Sequence, residues 1–197
     1  MANVANREHV DMLLRDGVAV WNRWRVDNPT VQPDLSGADL SGVHLSGANL
    51  IGTDLSGANL SNANLYHARL YLANLRRADL SRVSLKAADL TDAYLVKANL
   101  TLCQTGGGGD GVNIAAGRLD LEDCDISSQS RHGVGIHNGA EPRVRRCRIH
   151  DNKKSGIYVF DQGQGLFEDC DIAANTYAGV AVRTSGTPSI KSDICLC

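Results

Sequence analysis

Three histidines and two aspartates in the second half of the chain are the residues best suited to acid–base chemistry. They are His132, His137 and His150, with Asp151 and Asp161 near them in sequence. Histidine changes charge near neutral pH, and a carboxylate can orient it or share its proton, so this set could support general acid–base catalysis. The turns around these residues are short, and no insertion is present that could build a cleft over them. We therefore expect no catalytic residues and a protein that is not an enzyme.

Cysteines are the other potentially reactive residues, and all six follow residue 102. Cys124, Cys147 and Cys170 are spaced by 23 residues, and no C-x-x-C pair is present. Zinc ligands are usually close in sequence or converge in space, and neither is indicated here. We expect these three thiols to form a buried ladder, since free cysteine packs as a small apolar residue. The sequence predicts no metal and no cofactor.

These residues must be positioned by a repeating fold, which a leucine repeat indicates. Leucine occupies every fifth position, fourteen times from Leu35 to Leu100. Alanine usually lies two residues before each leucine, and Asp or Asn lies directly before it. A period of five suits neither a helix, on which the leucines would spiral, nor one long strand, on which they would alternate between faces. The chain must turn once per unit with Ala and Leu inward, which predicts a solenoid.

The motif A-(D/N)-L-x-x resembles the pentapeptide-repeat family over residues 33–101. The resemblance implies a right-handed, four-sided β-helix with four pentapeptides per coil. It also implies an alternative function, because acidic, dimeric members of that family mimic DNA and bind DNA gyrase. A DNA mimic needs a sustained negative potential. Here six acids and six bases on the pentapeptide surface sum to zero, which argues against that alternative.

After the glycine-rich stretch at 105–109 the period changes to 23 residues. Residues 121–126, 144–149 and 167–172 align, and each contains the short apolar alternation typical of a half-buried strand. Stacking these coils places Glu122, Arg145, Glu168 and Lys191 in one column of alternating charge. The repeats resemble right-handed parallel β-helices over residues 110–192. Because that fold also resembles polysaccharide lyases and hydrolases, carbohydrate binding or carbohydrate chemistry near His132, His137 and His150 remains a second alternative.

An amphipathic helix is predicted from about Ala5 to Val26, ended by Asn28-Pro29. An open solenoid end exposes core side chains and unpaired strand edges. We expect this helix to close the barrel mouth with four apolar residues: Leu13, Leu14, Trp21 and Trp24. The predicted organisation is a capping helix (1–30), a pentapeptide β-helix (31–103), a glycine-rich joint (104–111) and a parallel β-helix (112–197), which together make an all-β solenoid with an α-helical cap.

The composition sets limits on partners. The chain has 197 residues and a formal net charge of −2, so no strong attraction to nucleic acid or to a membrane is expected. The first ten residues lack an apolar signal core, and we expect a cytoplasmic protein.

We therefore predict a repeat scaffold or protein-interaction module whose partner is another protein or a second copy, with dimers or end-to-end assembly open. The first candidate interaction surface combines tyrosine and arginine, which are favoured at binding hot spots: Tyr66, Arg69, Tyr71, Arg76, Arg77 and Arg82. The candidate assembly edge lies in the last coil: Ile190, Lys191, Ile194 and Cys195.

Overall fold

The chain folds as a parallel β-solenoid that follows one N-terminal helix, as the sequence predicts. The computed structural model describes residues 5–85, 87–103, 110, 112–114, 117–128, 131–183, 185–191 and 195–196. The predicted joint at 104–111 lies outside the described residues except for Asp110.

The helix consists of α1 (Arg7–Asp11), a π-helical turn (Met12–Asp16) and α2 (Gly17–Asp27). Trp21 and Leu13 are fully buried and Trp24 is half-buried, as predicted, but Leu14 is 46% exposed. The prediction for Leu14 is wrong because the π-helical turn has more residues per turn than an α-helix and shifts the angular position of its side chains.

The helix also supplies hydrogen bonds to the first coil of the barrel. The Trp21 indole donates to the backbone oxygen of Asn49 at 2.9 Å, and the Arg25 guanidinium donates to that of Ile51 at 2.8 Å. The ring of His9, itself buried, accepts the backbone N–H of Asp34 at 3.1 Å. The predicted lid is therefore present, and it satisfies backbone groups that an uncovered coil would leave unpaired.

The barrel repeats every 20 residues. Isolated parallel bridges join Asp34 to Asp54, Asp39 to Asn59, His44 to Asn64 and Asn49 to Arg69, and they continue upward from each pair. We call the four resulting faces sides 1 to 4, in that order. Leucines from all four sides fill the interior and are fully buried over most of the barrel.

The residue before each leucine also shapes the turn. At most of these positions the Asp or Asn side chain accepts the backbone N–H two residues later, as Asp54 does from Ser56 at 2.9 Å. Such Asx turns explain why Asp and Asn are favoured there. From Leu35 to Leu95 the second residue after each leucine has a positive φ, and this position is filled by glycine as far as Gly57 and by other residues from Asn62 onward.

The barrel passes directly into a three-sided β-helix. Side 1 continues through β1 (Tyr94–Val96) into β4 (Asp120–Glu122), β7 (Arg143–Arg145), β10 (Leu166–Glu168) and β13 (Ser189–Lys191). Side 2 continues through β2 (Asn99–Cys103) into β5 (Asp125–Ser128), β8 (Arg148–His150), β11 (Asp171–Ala173) and β14 (Cys195–Leu196). A third sheet begins anew with β3 (Val112–Ile114), followed by β6 (Val134–Ile136), β9 (Ile157–Val159) and β12 (Val180–Val182).

The predicted register of the β-helix is confirmed. Glu122 pairs with Arg145, which pairs with Glu168 and then Lys191. Arg146 forms an ion pair with Asp123 at 2.8 Å and another with Glu122. Asn152 and Asn175 stack in successive coils, with the Asn152 amide donating to the Asn175 side-chain oxygen at 2.6 Å.

The cysteine ladder is buried as predicted, with Cys124, Cys147 and Cys170 each no more than 2% exposed. Hydrogen bonding between neighbouring thiols lowers the pKa of Cys124 and raises that of Cys147 to about 12. A hydrogen bond to Cys147, together with burial, also raises the pKa of Cys170. Since the thiolate is the reactive form, burial and the raised pKa of Cys147 and Cys170 favour a packing role for these two thiols.

Candidate interaction surfaces

The six residues of the predicted interaction surface are distributed around the barrel. One coil takes 20 residues, so positions 66 to 82 span most of its circumference. Arg69 lies on side 4 between Asn49 and Asp89, whereas Arg77 and Arg82 lie at positive-φ turns after sides 1 and 2. The structure therefore does not bring the six residues together as one patch.

Two of the six, Tyr71 and Arg76, do flank a common feature at the corner that leads from side 4 to side 1. Tyr71 and Leu72 are 37% and 42% exposed there, and Tyr94 on side 1 is 38% exposed. The guanidinium carbon of Arg76 lies 5.2 Å from the centre of the Tyr94 ring, a cation–π contact that fixes both side chains. Large apolar groups are thus exposed next to one another.

A groove follows this corner along the solenoid. Its first depression, of about 230 Å³, is lined by Leu72, Tyr94, Arg118 and neighbouring residues. A second, of about 200 Å³, shares Arg118 and extends past Pro142 to Leu166 and Ser189. We call these two depressions the side groove. It spans the last pentapeptides and the first sheet of the β-helix as far as β13, so both repeat types contribute to it.

The predicted histidine cluster is only partly assembled. His132 and His137 flank β6 in the third sheet, but His150 lies on β8 in the second sheet. His150 contacts Asp125 through Nε2 and Asp151 through Nδ1, each at 2.6 Å. The structure does not join the three histidines in one cleft, which the carbohydrate alternative would require.

A buried Asp110 lies beside His132. The backbone N–H of His132 donates to the Asp110 carboxylate at 3.4 Å, and a Cβ added at Gly135 would collide with that carboxylate. Burial raises the pKa of Asp110, and burial also lowers the pKa of His132. Nδ1 of His132 accepts the backbone N–H of Ser155 at 3.1 Å, so the neutral ring carries its proton on Nε2.

Four aromatic rings stack face to face in a row over Gly135. His132 stacks on Tyr158 at 4.4 Å between ring centres, Tyr158 on Phe160 at 4.9 Å, and Phe160 on His137 at 4.7 Å. Because His132 and His137 lie in one coil and Tyr158 and Phe160 in the next, the stack ties two coils together.

A cavity of about 410 Å³ lies where sides 3 and 4 have no continuation in the β-helix. Leu90, Ile114 and Leu119 form its apolar floor, and Asp89 and Asn113 lie at its rim. It results from the change from four sides to three. Among the described residues, no three His, Cys, Asp or Glu side chains are grouped to hold a metal ion.

The predicted assembly edge lies on the last strands. Ile190 and Lys191 are in β13, where Ile190 pairs with Phe167, and Cys195 is in β14, where it pairs with Asp171. Ile190 is 48% exposed, and Ile194 lies outside the described residues.

The sequence did not identify Leu72, Tyr94 and Arg118 as residues of an interaction surface. Tyr94 occupies the position that Asp or Asn usually fills, and Leu72 occupies a turn position filled by glycine in the early repeats. A large apolar residue at a polar or glycine position of a repeat was the available signal. Arg118 carried no such signal because it precedes the first regular 23-residue coil.

Comparison with known proteins follows this division of the chain. A family model described as right handed beta helix region matches residues 93–195, and one described as pentapeptide repeats (8 copies) matches residues 34–70 and 68–103. No curated protein matches the chain. The helices among the described residues are too short or too polar to traverse a lipid bilayer.

Two solved structures of pentapeptide repeat proteins are similar. One comes from the Arabidopsis thaliana thylakoid lumen, with 25% identity and a TM-score of 0.36 over 60% of this chain and 66% of that protein. The other, HetL from the cyanobacterium Nostoc, is involved in regulating heterocyst differentiation; it has 19% identity and a TM-score of 0.22 over 85% of this chain and 93% of its own. The present chain thus spans about two thirds of the Arabidopsis protein.

Proposed function

We propose, from the premise that this chain belongs to the right-handed β-helix family and carries pentapeptide repeats in its first half, that it binds another protein through the side groove. Repeat solenoids present extended, regular surfaces that partner molecules bind. The observation that carries the proposal is the exposed group Tyr71, Leu72 and Tyr94 beside a groove that runs on to Leu166.

The occupant that fits is an extended segment of a partner protein lying along the solenoid axis. Leu72 and Tyr94 would hold one apolar side chain in the first depression. Further along, Arg118, Arg143 and Gln164 offer hydrogen-bond donors to polar groups of the same segment. A linear groove with an apolar anchor site and polar walls is typical of peptide recognition.

Site-specific photocrosslinking tests this proposal. A photoreactive residue at position 72 should crosslink one defined protein, and the same residue at position 62 should not. The two positions are matched, since Leu72 and Asn62 share the same turn conformation, with φ of 58° and 59°, but lie half a coil apart.

The crosslinked protein must then bind directly when purified. We expect Leu72→Asp to weaken that binding at least tenfold, about 1.4 kcal/mol, and Asn62→Asp to leave it unchanged. Equal crosslinking from both positions, or equal binding by both variants, would contradict the proposal.

A further inference from the structure

A second surface lies at the corner between the second and third sheets, away from the side groove. Arg131, Lys154 and Tyr177 occupy the same place in three successive coils. The backbone N–H of Lys154 donates to Arg131 at 2.8 Å, and that of Tyr177 donates to Lys154 at 3.2 Å. Lys153 is exposed beside them. We call these four residues the basic corner.

Within the described part of the chain, the ion pairs of the β-helix involve Arg145, Arg146 and His150, and none joins Arg131, Lys153 or Lys154 to a carboxylate. Asp151 is engaged with His150 at 2.6 Å. Asp110, the carboxyl group that interacts with Arg131, is only 8% exposed. Arg131 and Lys154 also oppose the protonation of His132, although burial is the larger cause of its lowered pKa. The corner therefore groups three cations on a chain whose net charge is −2.

An aromatic group completes this surface. Tyr177 is 67% exposed, more than any other aromatic side chain among the exposed large apolar residues described. It lies one coil above Lys154, so a bound segment can contact its ring and both cations together. The Nε of Arg131 is buried and has no hydrogen-bond acceptor among the described residues. Tyrosine and arginine are enriched at the centres of protein interfaces.

We propose that the basic corner binds an acidic segment of a partner protein, with carboxylates on Arg131 and Lys154 and an apolar side chain against Tyr177. The inference rests on the proposed role in protein binding and adds a second contact of defined charge. Three cations are too few for nucleic acid, where proteins commonly neutralise six or more phosphates, and fewer than the about four to eight found in lipid-binding basic clusters.

The test uses the full chain and a fluorescein-labelled peptide of glutamates around a central tryptophan, with a glutamine version as control, measured by fluorescence anisotropy. We expect the acidic peptide to bind and the glutamine peptide not to bind. Arg131→Gln and Lys154→Gln should each weaken binding about tenfold, and the double variant should abolish it. Tyr177→Ala should weaken binding of the peptide that carries the central tryptophan. When alanine replaces that tryptophan in the peptide, Tyr177→Ala and the natural chain should bind it equally.

Matched controls separate a lost contact from a lost fold. Lys97→Gln removes an exposed cation of the barrel and should leave binding unchanged, and Lys154→Arg should retain it. Undiminished binding by the double variant, or no binding of the acidic peptide at low salt, would overturn the inference. If a sulfated glycan or a single-stranded oligonucleotide bound more tightly than the acidic peptide, that ligand would be the preferred occupant and the inference would also be overturned. None of these outcomes affects crosslinking from position 72, so the side-groove proposal stands or falls separately.

Discussion

At the scale of single residues, Gly135 is required because its missing side chain makes room for Asp110. A methyl group at this position would meet the Asp110 carboxylate. We expect Gly135→Ala to lower the free energy of unfolding by about 1–3 kcal/mol, the usual cost of overpacking. Chemical denaturation of Gly135→Ala, of Asp110→Ala and of the double variant measures this cost.

The double variant gives the control for that prediction. With the carboxylate removed, the added methyl group has space, so the two substitutions together should cost clearly less than the sum of their separate effects. Strict additivity would show that the two residues do not share this space.

The buried Asp110 also leads to a prediction about how the stability of the fold depends on pH. Burial raises the pKa of its carboxyl group in the folded state, so the folded chain holds this proton more tightly than the unfolded chain does. The resulting stabilisation is complete below the unfolded pKa and is lost as pH rises through the folded pKa. Asp110→Asn has no titrating carboxyl group at this position and does not lose this stabilisation. The melting temperature of the variant minus that of the natural chain should therefore be higher at pH 8 than at pH 4.

His132 should also raise the melting-temperature difference between Asp110→Asn and the natural chain at pH 8 relative to pH 4. Its pKa is lowered by burial, so its stabilisation is present above the ordinary histidine pKa of about 6.5 and is lost as pH falls below that value. Because Asp110 opposes this lowering, Asp110→Asn should lower the His132 pKa further and increase the loss at acid pH. A difference in melting temperature that does not change with pH would contradict this interpretation of the pair.

At the scale of elements, the cap is held by Trp21. Its side chain is fully buried and its indole donates to the rim of the first coil. We expect Trp21→Ala to destabilise the chain by about 3–5 kcal/mol, whereas Leu14→Ala on the exposed side should change stability by less than about 0.5 kcal/mol. Thermal unfolding of the two variants compares them, and equal effects would contradict the observed orientation of the helix.

The pentapeptide turns provide a second prediction at this scale. Arg82 has a φ of 56°, a conformation that costs a non-glycine residue about 1–2 kcal/mol. Since glycine costs about 0.5–1 kcal/mol in flexibility, Arg82→Gly should stabilise the chain by up to about 1 kcal/mol. The neighbouring Ser81→Gly should destabilise it, because that position has no positive φ. A lower melting temperature for Arg82→Gly would show that the arginine side chain makes compensating contacts.

The sequence predicts most of these elements because both repeat periods are strict. The five-residue leucine period determines the inward and outward positions of the barrel, and the 23-residue charge columns determine the register of the β-helix. Leu14 could not be placed correctly, since periodicity assumes an α-helix and the π-helical turn interrupts it. The histidine cluster failed for a related reason: nearness in sequence does not show on which of three sheets a residue lies.

At the scale of the whole molecule, the two repeat types form one stack. The sequence predicts a glycine-rich joint at 104–111 between the two repeat types. On either side of it β1 pairs with β4 and β2 pairs with β5, so two sides of the barrel are also the first two strands of the β-helix. The two matched family models overlap at residues 93–103, the stretch that contains β1 and β2. The side groove exists only because the stack is continuous across this boundary.

Hydrogen exchange across that boundary tests this central claim most directly. The amides of Lys97 and Asp92 donate to Glu122 at 2.7 Å and to Arg118 at 2.6 Å, joining the last pentapeptide coil to the first β-helix coil. We predict protection similar to that of Leu55 within the barrel and of Arg148 within the β-helix, whose amides donate at 2.8 and 2.9 Å. If the Lys97 and Asp92 amides exchange freely while the other two remain protected, the halves are independent domains and the continuous solenoid is wrong.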